Sequence, residues 1–577
     1  MPFPMRRLLV LMASTTLAAL STGCGPAPEP ADLVLLHGNI VTLDPARPKA
    51  EALAARGDTI VAVGKDDEIR KFAGPNTRVI DLEGKLAIPG FIEAHAHFLS
   101  LGQSKRILDL HTAKSWDEIV ARVETAARTA PEGAWILGRG WHQEKWTSRP
   151  DPAVAGYPVR DALDRAAPRN PVVLRHASGH AAIVNAAALE RAGIGDATAD
   201  PDGGKIVRDR KGRATGVLLE NADDAVGKAV AADRAKRPAS ELAAELARDV
   251  ELATNECLSK GITTFHDAGE SIATVDRLRS MAETGALRVR LYVMLEGSNE
   301  ILAPRLREGP LLELGRRHLT VRAIKKYMDG ALGSRGAWLL APYTDAPDTT
   351  GLPAEPIERL EETSRLAAES GFQLCIHAIG DRANREVLDL YERTLRAHPD
   401  VKNPRWRIEH AQHLDPADIP RFSRLGVIAA MQGIHCTSDG PWVAERLGDE
   451  RARTGAYAWR RLLDSGALVV NGTDAPVEDV DPIACYHASV TRKMKNGFAF
   501  FPEQRMTREE ALRSYTASAA YAGFEEGIKG SLAPGKLADV TVLSRNILEI
   551  PDDDIPSTRV VYTIVGGKVE YRSEGGP

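Results

Sequence analysis

Phe91-Ile92-Glu93-Ala94-His95-Ala96-His97, entered through Leu86-Ala87-Ile88-Pro89-Gly90, is an apolar run that ends in two histidines spaced i, i+2. As a β-strand it alternates its side chains, so His95 and His97 project to the same side. Two imidazoles projecting together suit a divalent ion such as zinc. An isolated pair with this spacing is more often two ordinary histidines in a turn. The reading therefore turns on what the rest of the chain brings to that strand end.

From about Gly261 the chain alternates strand and helix, the rhythm of parallel strands covered by helices. Residues 357–370 carry apolar side chains at Ile357, Leu360, Leu366 and Ala367, and Gly371 suits the left-handed position after a helix. Strands follow at residues 372–377, 406–410, 427–432 and 468–474, each closed by a polar residue. Collected with the first pair and with Lys325, these ends give His95, His97, Lys325, His377, His410 and Asp474. Four imidazoles and a carboxylate make a first shell for one or two divalent ions. In a (β/α)₈ TIM barrel the chemistry sits at the C-terminal strand ends. A doubly wound open sheet is the rival architecture, but no GxGxxG follows a strand here.

Both ends of the chain differ from this middle. Residues 33–43 and 53–63 read as short strands in β-hairpins, and residues 538–543, 560–565 and 568–571 have the same character. We therefore expect a composite β-sandwich domain from residues 31–86 and 526–577, flanking a distorted barrel over residues 87–525. Between His97 and about Lys260 the rhythm breaks, which we read as an α+β cap inserted after barrel strand 1, about residues 100–258.

With 577 residues, 27% charged, 43% apolar and a net charge of -5, the composition is that of a soluble globular protein. Interspersed charges argue against a nucleic-acid partner. Arg6 and Arg7 precede an apolar stretch, Leu8 to Leu20, too short for a spanning helix and right for a signal segment. It runs into Ser21-Thr22-Gly23-Cys24 and a Pro-rich tether to residue 30. This is similar to a bacterial lipoprotein signal, which implies export, lipidation of Cys24 and membrane contact through that anchor, facing the periplasm or the cell exterior. Ser21 departs from the usual leucine. Cys257, Cys375, Cys436 and Cys485 are scattered and show no cysteine-based metal spacing.

Longer motifs carry a second resemblance. They are residues 88–97, Gly138-Arg139-Gly140-Trp141, Ser178-Gly179-His180, residues 261–269, residues 324–335, residues 377–383, residues 407–412, Gly472-Thr473-Asp474-Ala475-Pro476 and residues 534–539. Together these resemble the amidohydrolase superfamily, and within it the YtcJ-like group that includes N-substituted formamide deformylases. The resemblance implies the barrel with its composite sandwich. It also implies His95, His97 and Asp474 on one ion, His377 and His410 on a second, and Lys325, carboxylated on Nζ, as the bridge. Choosing Lys325 over Lys326 rests on that resemblance. Gln432-Gly433 departs from the usual Gln-Pro, which touches the loop and not the ligands.

The expected reaction is hydrolysis of an amide or formamide-type carbon–nitrogen bond in a small molecule, with Asp474 as general base and acid. Trp141, His180, Arg335 and His435 are the candidate substrate contacts. A cyclic amide or carbamate is the alternative substrate class. The alternative from another class is a catalytically degenerate, lipid-anchored metal or ligand binder. A homo-oligomer is compatible with all of these.

Overall fold

The computed structural model describes residues 28–143, 146–177, 179, 181–201 and 204–574. Cys24 and His180 lie outside them. Eight parallel strands form a nearly closed barrel: β1 (Phe91–Ala96), β2 (Ile262–Glu270), β3 (Arg290–Leu295), β4 (Leu319–Tyr327), β5 (Gln373–Ala378), β6 (Arg407–His410), β7 (Ile428–Gln432) and β8 (Val469–Gly472). The opening heptapeptide is thus barrel strand 1, and the expected distorted (β/α)₈ barrel is the fold.

No backbone ladder joins β8 to β1. A side chain helps to close that seam: Glu93 accepts the backbone N–H of Thr473 at 2.8 Å and its hydroxyl at 3.1 Å. The Asp474 N–H then bonds the His95 carbonyl at 2.8 Å. The metal-type ligands of β1 and β8 are therefore held in one register by the closure itself. Gly472 has to be glycine, because a Cβ there would lie 2.4 Å from Glu93 Oε1. Burial pushes Glu93 up to about 8, against the hydrogen bonds from Thr473 and His95 that favour its charged form.

Helix Ile357–Ser370 ends at Gly371 in the left-handed conformation, as the sequence predicts. Two sheets flank the barrel. One has four strands, ordered Thr59–Gly64, Ala52–Arg56, Leu33–Leu36, Arg78–Asp81. The other has six, ordered Lys568–Arg572, Val560–Val565, Val540–Leu543, Leu86–Pro89, Asn39–Val41, Lys49–Ala50, so it draws on both chain ends. One apolar core, including Leu33, Ile60, Ala87, Val540 and Ile564, lies between them.

The hairpin expected across residues 33–43 does not form. Leu33–Leu36 pairs with Ala52–Arg56 in one sheet, and Asn39–Val41 with Leu86–Pro89 in the other. His37, at φ +52, carries the chain from one layer to the other, and Gly38 passes tight against Leu82. A short turn between apolar runs marks a change of direction and leaves the pairing partner open.

After β1 the chain builds a six-stranded sheet, ordered Gly204–Arg208, Ala214–Glu220, Ala181–Val184, Val172–His176, Ile136–Trp141, Leu108–Asp109, before it returns to the barrel at β2. This sheet has its own core around Trp116, Trp141, Leu163 and Leu174.

Candidate active site

At the C-terminal mouth of the barrel, ligand atoms of His95, His410 and Asp474 all lie within 4.8 Å of one another. His97 Nε2 stands 3.2 Å from Asp474 Oδ1 and His95 Nε2 stands 3.5 Å from it. The His377 ring centroid is 4.4 Å from that of His410. His95 Nε2, His377 Nε2 and Asp474 Oδ1 are buried and make no aligned hydrogen bond. Burying such atoms without aligned hydrogen bonds is costly, a cost that a shared cation would offset. This donor set, imidazole nitrogens with a carboxylate oxygen, fits a divalent ion of the zinc type.

Strain marks the same place. His410, Ala411 and Asp474 have positive φ of 74°, 43° and 59°. Non-glycine residues hold such angles only where the surroundings impose them, and they cluster at functional sites.

Each ring is oriented from behind. His95 Nδ1 makes a short contact to Glu409 Oε2. Arg407 grips Glu409 with two bonds, at 2.7 and 2.8 Å, and donates at 2.7 Å to the Ala94 carbonyl. A carboxylate behind the imidazole fixes which nitrogen faces the ion. His410 Nδ1 lies 2.8 Å from Gln432 Oε1. Burial disfavours ionising Glu409, but Arg407 and then His95 outweigh it and hold the carboxylate at about 2. Burial likewise opposes protonation of His95, and Glu409 overcomes it, so this imidazole sits above its ordinary value. Burial drives His377 down to about 3 and His410 well below 6.5. Both are neutral at pH 7, the form that binds metal. Burial favours the neutral acid at Asp474, yet contacts to His95 and His97 keep it well below the usual carboxylate range.

On β4 the strand alternation separates the two lysines. Lys325 is 1% exposed and points inward, with Nζ 3.5 Å from the Ala268 carbonyl and 4.6 Å from the centre of the Tyr327 ring. Lys326 points outward to the Gly297 carbonyl at 3.0 Å and to Glu355 at 3.3 Å. Burial lowers the Lys325 pKa, which enriches the neutral amine.

His435, on the helix Gly433–Leu447 that follows β7, lies parallel to the His410 ring at 6.4 Å, and its Nε2 is buried without a partner. Its Nδ1 is 3.1 Å from Gln412 Nε2. Of the other substrate candidates, His180 lies outside the described residues, and Trp141 and Arg335 are engaged by groups that are not ligands of the cluster. Trp141 is fully buried in the cap core, donating to the Leu174 carbonyl at 2.7 Å, because its neighbours Trp146, Tyr157 and His176 enclose it. Arg335 is half-exposed and engaged by Asp345 at 2.7 Å. Gly433 donates its N–H to Asn471 at 2.8 Å, a bond that a proline could not make.

Sequence reasoning missed Glu409, Arg407, Gln432 and Asp329. The last accepts the N–H groups of Trp338, Ile379 and Gly380 at 2.8–2.9 Å and ties the loops after β4 and β5 together. The available signal was alternation: Arg407 and Glu409 share a face of β6.

Two buried histidines outside the cluster set an acid limit. Burial holds His266 well below 6.5 and His413 at about 3. Below about pH 6.5 the unfolded chain gains protons that the folded chain refuses. Stability is thus intact above that pH and falls as pH drops, for His413 by about 1.4 kcal/mol per pH unit toward 3, with His266 acting in the same direction. Tm measured from pH 7 to pH 4 should fall less steeply in His413→Phe than in wild type.

The sequence profile of the amidohydrolase family matches residues 78–571. The protein LONG AFTER FAR-RED 3 of Arabidopsis thaliana is 35% identical over 95% of this chain and 92% of its own. The putative amidohydrolase YtcJ of Bacillus subtilis is 33% identical over 93% and 98%. N-substituted formamide deformylase of Arthrobacter pascens is 28% identical over 94% and 99%. Among solved structures, an uncharacterised metal-dependent hydrolase of Pyrococcus horikoshii superposes with a TM-score of 0.74 at 26% identity, covering 90% of this chain and 99% of that one. With the barrel and its histidine–aspartate cluster, these matches place the chain in the amidohydrolase family, enzymes that hydrolyse carbon–nitrogen bonds.

Proposed function

We propose that this chain hydrolyses the carbon–nitrogen bond of a linear amide or formamide, using one or two divalent ions that His95, His97, His377, His410 and Asp474 would hold, with a carboxylated Lys325 as the bridge where two are bound. The observation that carries this reading is the convergence of buried ligand atoms, without aligned hydrogen bonds, at the mouth of the barrel. Two relatives add support: one is named for deformylating N-substituted formamides and the other for metal-dependent hydrolysis.

A bound ion would supply Lewis-acid chemistry, polarising the carbonyl and acidifying water. The chain does the rest. Asp474 Oδ1, ionised at neutral pH, takes the proton of the attacking water. His435 Nε2, buried without a partner, is placed to donate to the oxyanion that develops. Asp474 then delivers its proton to the departing amine nitrogen, so that one water and one amide give one acid and one amine. Glu409 and Gln432 keep the rings of His95 and His410 from turning during these steps.

Lys325→Ala is expected to lower turnover about 10–100-fold or more, in line with the loss of a group that organises a metal site. Intact mass of the wild type under mild conditions should be heavier by one CO₂, and Lys325→Ala should lack that increment. An unmodified wild type with full activity would refute the bridge.

We propose further that Cys24 is lipidated and tethers the protein to the bacterial cell envelope, facing away from the cytoplasm. Among the described residues no helix is long and apolar enough to cross a membrane, so the tether would be the membrane contact. Cys24→Ala should move the protein from the membrane to the soluble fraction, and an unchanged distribution would count against the anchor.

A further inference from the structure

Arg139 is the residue of the cap that the mechanism leaves unused. It lies on the strand Ile136–Trp141 and is paired in register with Arg175 of the strand Val172–His176. Two guanidinium groups side by side on parallel strands repel one another, an arrangement that a sheet avoids without a reason. Arg175 is neutralised by Asp223 at 2.8 Å. Arg139 has no ion pair among the described residues, and its Nε is buried without any hydrogen-bond acceptor. The carboxylate whose charge reaches it is Asp474 of the barrel. That carboxylate is already occupied by His95 and His97.

A partly desolvated cation without a counterion is costly unless a ligand supplies the opposite charge. Its planar fork matches a carboxylate through two parallel bonds. Arg335, the other arginine in view for this task, is spent on Asp345. Arg175 cannot compete for the ligand because Asp223 holds it.

We propose that Arg139 forms an anionic subsite that anchors a carboxylate of the substrate, so that the preferred amides carry an acidic group close to the scissile bond, as N-acyl amino acids do. This specifies the substrate class of the reaction proposed above and rests on that reading for its biological sense. Its physical content, a carboxylate bound by Arg139, stands without hydrolysis.

The test is calorimetric binding to the zinc-loaded full chain with two ligands that have no amide bond, 3-phenylpropanoate and 3-phenylpropanol. The wild type should bind the acid about tenfold or more tighter than the alcohol, the scale of a hydrogen bond to a charged partner. Arg139→Gln should lose that margin with little change for the alcohol, and Arg139→Lys should keep part of it. Because Arg139→Gln removes an unpaired charge, its Tm should equal or exceed that of the wild type, whereas a merely structural arginine would lower it. A preference for the acid that survives Arg139→Gln would assign carboxylate binding to the metal and overturn the proposal. So would the absence of measurable acid binding to the wild type. A protein that binds the acid through Arg139 but cleaves no amide would refute the reaction and keep the subsite.

Discussion

Asp474→Asn is expected to lower kcat by about 10²–10⁴-fold, the range that a positioned proton carrier contributes, while the protein remains folded and still binds metal. The reason lies in the geometry. Asp474 Oδ1 is the oxygen against which His97 Nε2 and His95 Nε2 converge, at 3.2 and 3.5 Å, and it has no aligned hydrogen bond of its own. The carboxamide is nearly the same size and keeps an oxygen that can coordinate. It cannot take a proton from water at neutral pH, because its conjugate acid is far too strong. The Asp474 backbone, held at φ +59° by the bond from its N–H to His95, is untouched by the change. Metal content close to that of the wild type with turnover lost would separate the proton role from the ligand role. Turnover close to that of the wild type would remove Asp474 from the chemistry.

Glu409→Gln is expected to cost about 3–5 kcal/mol of stability, the penalty for leaving one partner of a buried ion pair charged and alone. Glu409 and Arg407 are both fully buried, and Arg407 makes two bonds to that carboxylate. The sign with pH follows from Glu409 being held at about 2 against an ordinary 4.5. Its contribution is complete above about pH 4.5 and is lost as pH falls toward 2. Function should fail as well, because the His95 Nδ1 contact is lost and the ring can turn; a loss of metal affinity of about 10–100-fold is expected. The double variant Arg407→Met/Glu409→Gln should regain part of the Tm without regaining metal affinity. Equal recovery of both would mean that Glu409 acts on the fold alone. Chemical denaturation and metal titration of the two variants measure both quantities.

The parts of this molecule that were legible in sequence are those with a local cause. Strand alternation put His95 and His97 at one strand end, and Gly371 marked where its helix stops. The break in rhythm after His97 announced a separate sheet. Pairing across long separations was not legible. Glu409 stands 314 residues from His95, and nothing near either residue says that they meet. The closure of the barrel by Glu93 and Thr473 spans 380 residues and uses a side chain where a backbone ladder is the default. Leu33–Leu36 and Asn39–Val41 look like a hairpin because turn chemistry fixes a bend, while burial decides which sheet each strand joins. Trp141 and Arg139 are two residues apart in one motif. The structure buries the first in the cap core and leaves the second without a partner, a division that the motif alone does not draw.

Metal content and amide hydrolysis measured on the same preparation test the central claim most directly, before chelation, after it, and after zinc is returned. The account predicts that purified protein carries one or two divalent ions per chain, that a chelator removes them together with the turnover of an amide or formamide, and that zinc restores both. Full turnover by a preparation stripped of its metal would contradict it.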